Sequence, residues 1–152
     1  MEDTNYKALL GLMLKSMAET YEQSQPKNHQ IILTIGATPA ILTSLGMQKL
    51  PIAMTGKVVD KSYFDHGVTK ATLEKIYPLI AQPKAIYQST TIGQVVLTYE
   101  LKNTQPLIVA MHPNKQLGGR SNFYNVVSSI YYKEGETPEL KWVKQGLLMW
   151  RA

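Results

Sequence analysis

In residues 125–133, Asn125, Val127, Ser129, Tyr131 and Lys133 recur at a spacing of two, which puts them on one face of a β-strand. Val126, Ser128, Ile130 and Tyr132 take the other face. A solvent face is usually a scatter of charges. Here an amide, a hydroxyl, a phenol and an ammonium stand in line, as a site for an anionic, ring-bearing ligand would have them. The same spacing also describes a half-exposed antiparallel strand with ordinary polar residues, and spacing alone does not separate the two readings.

The chemistry these residues suit is metal-free cleavage of an RNA phosphodiester. The substrate brings its own nucleophile, the 2′-hydroxyl. The protein must supply a proton acceptor, a proton donor and donors for the charge on phosphorus. An imidazole titrates near neutral pH, and His66 stands just before a candidate helix, so His66 is the candidate acid or base. Ser129 and Lys133 are the further catalytic candidates, holding phosphate. Tyr131 would stack on or orient a base, and Asn125 would bond a base edge. Arg120, in the basic loop Gly118-Gly119-Arg120, is a further candidate for substrate binding. For a lone histidine such as His66, a local cap or loop hydrogen bond is the competing explanation. His112, at a strand end before Pro113, reads as a satisfied structural histidine.

Other chemistries find no foothold. The chain has no cysteine, which removes disulfides, thiol nucleophiles and thiolate metal ligands, and fits a reducing cytosol. His29, His66 and His112 lie in different elements with no second ligand at metal-binding spacing, so no metal and no cofactor is expected. There is no phosphate-binding glycine loop of the Walker or dinucleotide type and no Gly-x-Ser-x-Gly elbow. The longest uncharged run near the start, residues 8–14 between Lys7 and Lys15, is too short to span a bilayer, and no membrane partner is expected. Charge is uneven within the formal net of +5. Lys7 and Lys15 face Glu2, Asp3, Glu19 and Glu22 at the start, whereas the remainder holds twice as many basic as acidic residues. A basic body attracts a polyanion, and equally keeps a small domain dissolved.

The elements that would position these residues follow from periodicity. The 152 residues suit one compact unit, with an amphipathic helix over 1–24 leading an α+β body over 25–152. Tyr6, Leu9, Leu10, Met13, Met17 and Tyr21 form the helical stripe, with Asp3 or Thr4 as cap. Leu12 and Leu14 widen it, so this helix should pack on two sides, on a partner or on a second copy. Residues 24–28 read as a linker and 30–35 as a buried strand. Thr38 and Pro39 open a helix that Gly46 closes. Residues 50–55 are extended and 57–65 ambiguous. Thr69 caps a helix over 70–81 that Pro78 should kink or shorten. Strands follow at 84–89, 94–101, 106–112, 123–133 and 145–150, with 134–144 as a loop. Helices first and a meander of strands after predict a curved antiparallel sheet of about four to five strands backed by N-terminal helices.

Several segments resemble a phage-associated domain. Ile35-Gly36-Ala37-Thr38-Pro39-Ala40-Ile41-Leu42 with Leu45-Gly46 looks like its Gly-x-Thr-Pro opening, and Asp65-His66-Gly67-Val68 with Gln82-Pro83 looks like its histidine-plus-helix segment. Residues 125–133 resemble its Asn-x-h-x-Ser-h-Tyr-x-Lys strand (h, hydrophobic), and Gly146-Leu147-Leu148-Met149-Trp150 its closing strand, with Trp150 where the family pattern has tyrosine. These are the C-terminal domains of phage head-morphogenesis (MuF-type) polypeptides and mobile-element toxins, grouped with barnase, EndoU, colicin and RelE-like nucleases. The resemblance implies that nuclease fold and a ribonuclease or tRNase toxin acting in the host cytosol. It points to His66, Asn125, Ser129, Tyr131 and Lys133, with Trp150 as a further substrate contact. The expected partners are RNA, tRNA included, and an immunity or antitoxin protein. The alternative is a phage- or plasmid-encoded binding or inhibitor protein on the same scaffold, directed at a host protein and lacking catalysis.

Overall fold

A computed structural model describes residues 1–22, 29–118 and 122–152. The expected linker at 24–28 and Arg120 lie outside the described residues. The first helix, α1, runs Tyr6–Glu22. Asp3 sets its start: the Asn5 N–H donates to Asp3 Oδ1 at 2.8 Å and the Tyr6 N–H to the Asp3 carbonyl at 3.1 Å. Tyr6, Leu10, Met13, Leu14 and Met17 are buried, whereas Leu9 and Leu12 stay exposed.

After α1 come β1 (Ile32–Ala37), α2 (Ala40–Ser44), β2 (Pro51–Thr55) and α3 (Gly56–Asp60), and α3 passes directly into a π-helical turn at Lys61–Asp65. The expected helix over 70–81 is two: α4 (Lys70–Glu74) and α5 (Ile76–Ala81), broken at Lys75. Pro78 explains the break, since it has no N–H for the Glu74 carbonyl and its ring crowds that group. Thr69 does cap α4, its Oγ1 accepting from the Thr72 N–H at 3.2 Å. Thr38 does not cap α2; it donates to the Leu50 carbonyl instead.

The strands β3 (Ala85–Gln88), β4 (Gln94–Lys102), β5 (Gln105–Gln116), β6 (Phe123–Tyr132) and β7 (Leu148–Arg151) complete a seven-stranded sheet in the order β1-β2-β6-β5-β4-β3-β7. The architecture is α+β, as expected. The sheet is larger than the four to five strands expected, and it is mixed, because β2 lies parallel to β6 while the other neighbours are antiparallel. The early extended segments had no visible partner in the sequence; in space they extend the late meander. The loop expected over 134–144 contains a further helix, α6 (Pro138–Lys144).

The two sheet faces are covered unequally. Helices α1 to α5 pack on one, where Leu10, Val59, Leu73, Ile76 and Ile80 meet Val96, Val109, Met111, Val127 and Ile130. The opposite face carries a small cluster, Ala85, Tyr87, Leu97 and Ile108, with Trp142 of α6 packed against it. No helix among the described residues is long and apolar enough to cross a membrane.

Candidate active site

Strand β6 carries most of the candidate residues, and a β-bulge divides them. Ser129 pairs with Ala110 and Val127 with Met111, which leaves Ser128 without a partner position. The extra residue shifts the alternation by one. Val127 therefore faces the helices, while Tyr131 packs against the opposite cluster. The line of polar groups expected from the spacing of two is broken between Val127 and Ser129.

Asn125 falls on the inner side of that break and is fully buried. Its Oδ1 accepts from the Asn114 N–H at 3.1 Å, and its Nδ2 donates to Thr38 Oγ1 at 2.8 Å and the Gln48 carbonyl at 2.9 Å. These bonds tie β6 to the turns before α2, before β2 and within β5. The amide is spent inside the protein.

The β2–β6 ladder consists of Ile52↔Asn125 and Ala53↔Val126, after which β2 gives way to α3 and the π-turn. The later half of β6 thus has β5 on one edge and no strand on the other. His66, at the C-terminus of the π-turn, covers that edge with Nδ1 placed 2.9 Å from the Ile130 carbonyl. A carbonyl only accepts, so Nδ1 carries the proton. In the neutral ring the lone pair then sits on Nε2, which has no hydrogen-bond partner among the described residues. The bond is not the local cap or loop contact weighed for His66 but a long-range anchor to β6; it occupies one nitrogen and orients the other.

A cavity of about 240 Å³ opens beside His66, walled by Asp65, Lys102, Gln105, Tyr131, Tyr132 and Glu134. The Tyr131 ring meets the imidazole edge to face, centroids 6.2 Å apart. Partial burial pushes the Tyr131 phenol up from its ordinary value, so its hydroxyl remains a donor. Lys102 lies 5.7 Å over the Tyr132 ring and forms no ion pair among the described residues. Its Nζ also lies 3.0 Å from where a Cβ on Gly67 would be, which sets it beside the histidine loop.

His66 and Tyr131 are therefore together, and Ser129 follows one alternation earlier on the same strand face. Lys133, just past the end of β6, directs its ammonium to the Glu134 carbonyl at 2.7 Å; the amine that walls the His66 cavity is Lys102. Trp150 lies on β7, packed at the helix-side core and separated from β6 by three strands, roughly 19 Å at the usual strand spacing. Lys102, Tyr132 and Gln105 were not singled out by the sequence reading. They enter because Asn103, with φ of 57°, and Thr104 make a two-residue hairpin turn that sets the end of β4 and the start of β5 beside the end of β6.

The other two histidines are occupied differently. His29 Nε2 lies 2.7 Å from Asp60 Oδ2, and His112 Nδ1 lies 3.2 Å from the Pro113 carbonyl. A larger hollow of about 590 Å³ beside β1 is walled by Met1, Thr34, Ala37, Thr43, Lys49 and Pro51 among others, without a histidine or an aromatic ring. Another hollow, of about 630 Å³, is lined by His29, whose Nε2 is taken up by Asp60. Volume favours these two hollows, but proton-transfer chemistry favours the His66 cavity.

The phage MuF C-terminal domain family matches residues 57–151, more than half of the chain. The chain belongs to that family. The matched stretch contains the π-turn, His66, Lys102 and all of β6, so every wall of the His66 cavity comes from the MuF C-terminal region. Strands β1 and β2, with the Gly36-x-Thr38-Pro39 segment, precede it. No curated protein and no solved structure matches the chain.

Proposed function

We propose that this MuF C-terminal domain is a metal-independent endoribonuclease of the barnase, EndoU, colicin and RelE-like kind, a phage or mobile-element toxin cutting RNA, tRNA included, in the host cytosol. The observation that carries the reading is His66, with Nδ1 anchored on the Ile130 carbonyl and Nε2 left free in a cavity that also holds a cation and two carboxyl groups. In the reaction the 2′-hydroxyl attacks phosphorus and loses its proton as the new P–O2′ bond forms. The P–O5′ bond breaks and the departing oxygen takes up a proton. His66 performs one of these transfers and a cleft carboxyl group, Asp65 or Glu134, the other. Lys102 and the neutral Tyr131 phenol stabilise the phosphorane oxygens, with Ser129 and Lys133 holding phosphates along the same strand. RNA is the fitting polyanion, since its 2′-hydroxyl supplies an internal nucleophile that the groups of this cavity can activate. Total RNA incubated with the protein and excess chelator tests this. Cleavage by the wild type, lost in His66→Ala and strongly slowed in Lys102→Ala, is expected; equal inertness of wild type and variants would remove the catalytic claim.

A second reading, a binding or inhibitor protein on the same scaffold, is favoured by one patch. Leu9, Leu12 and Ile31 are 48%, 65% and 45% exposed around an apolar groove of about 270 Å³ between α1 and β1. If that patch seats a second copy, sedimentation should show a dimer that Leu12→Lys abolishes.

A further inference from the structure

We infer that the slot between α6 and the sheet is the binding site for the nucleobase next to the scissile phosphate. This deepens the ribonuclease reading and rests on it for its link to cleavage. The bulge at Ser128 sends Ser129 and Tyr131 to the sheet face that α1 to α5 do not cover. On that face Tyr87, Val95, Ala110 and Ser129 stand in one register row across β3, β4, β5 and β6. Tyr87 is the one large residue of the row, and Tyr131 follows Ser129 on the same face of β6. Val95 and Ala110 form a low apolar floor, Tyr87 and Trp142 rise at one end, and Tyr131 rises at the other. The result is a cavity of about 200 Å³ rimmed by Ser89 and Thr90. Tyr87 and Trp142 meet edge to face at 5.1 Å, so the Trp142 ring is held as a wall.

The chemistry of the slot selects its occupant. No charged side chain lines it, so it does not hold phosphate. Aromatic walls, an apolar floor and hydroxyls at the rim suit a flat, neutral ring with polar edges. The Thr90 hydroxyl has no hydrogen-bond partner among the described residues and is free to read such an edge. Tyr131 lines both this slot and the His66 cavity. The two sites are therefore one side chain apart, as base and phosphate are in a nucleotide. The cation and titratable groups lie in one site and the stacking surface in the other.

Trp142 reports on its own wall. In Trp150→Phe it is the remaining tryptophan, and its emission can be followed as nucleoside 3′-monophosphates of the four bases are added, with inorganic phosphate as control. Saturable quenching by at least one nucleotide and none by phosphate is expected. Adding Trp142→Ala should weaken calorimetric binding about tenfold or more and raise KM for RNA with kcat retained, in a protein whose melting confirms folding. Absence of quenching by all four nucleotides, or a Trp142→Ala variant with unchanged KM, would overturn the slot. Cleavage without quenching would refute the slot and leave the ribonuclease standing. Quenching without cleavage would keep the slot and refute the ribonuclease.

Discussion

Asn125 offers the sharpest test of how burial decides a residue's role. Its amide makes three hydrogen bonds, to Asn114, Thr38 and Gln48, and no part of it is exposed. Asn125→Ala removes all three. At about 1 kcal/mol net per bond the loss is about 3 kcal/mol. For a chain of this size that lowers Tm by roughly 6–12 °C. Asn125→Asp separates geometry from charge. The new carboxylate still accepts from the Asn114 N–H, but it offers no proton to the Gln48 carbonyl or to Thr38. A buried carboxylate facing a carbonyl is worse than a small void, so Asn125→Asp should be less stable than Asn125→Ala at neutral pH. Burial beside the Gln48 carbonyl raises the carboxyl's folded pKa, so acidification should recover part of the loss. Thermal melts of both variants across pH measure this, with RNA cleavage recorded per folded molecule. A wild-type Tm in Asn125→Ala, especially alongside lost cleavage, would refute the structural role and place the amide on substrate.

Gly36→Ala should destabilise by about 1–3 kcal/mol in urea unfolding, because its Cβ would stand 2.6 Å from the Met1 carbonyl oxygen and 2.7 Å from Tyr77 Cε1. The Tyr6 hydroxyl donates to the Leu73 carbonyl at 2.6 Å, and burial pushes its phenol far above the ordinary 10.0. That stabilisation is complete below the unfolded value and lost as pH rises above it, so wild-type stability should fall beyond pH 10.0 and more steeply than in Tyr6→Phe. At neutral pH Tyr6→Phe should cost about 1–2 kcal/mol by the same denaturant assay. Lys102→Ala should lower kcat about a hundredfold, and Lys133→Ala less, because the Lys133 ammonium is directed to the Glu134 carbonyl.

Local signals in the chain announced most of the fold. The period-two runs became β3 to β6 with shifts of a residue or a few at their ends, and Thr69 and Pro78 marked where α4 starts and why α5 is separate. Helix α6 carried its own sign, Pro138 in the first turn with Gly146 after the end, but its seven residues show little apolar periodicity. The sheet was underestimated because β1 and β2 join it through a parallel contact with β6, a pairing across some seventy residues that no local pattern announces. The candidate site was half legible. His66 and Tyr131 were both expected at it, and the structure puts their rings in contact. The bulge at Ser128 has no glycine or proline to mark it, so Asn125 read as a companion of Ser129 although it faces inward. Lys102 depends on hairpin register, a property of three strands at once. Arg120 lies outside the described residues.

Analysing the ends of the RNA fragments by mass spectrometry, after incubation in chelator, bears most directly on the role given to His66. Attack by the substrate's own hydroxyl leaves a 2′,3′-cyclic phosphate on one fragment and a 5′-hydroxyl on the other, and His66→Gln should abolish both. Fragments ending in 3′-hydroxyl and 5′-phosphate, or cleavage undiminished in His66→Gln, would contradict the account.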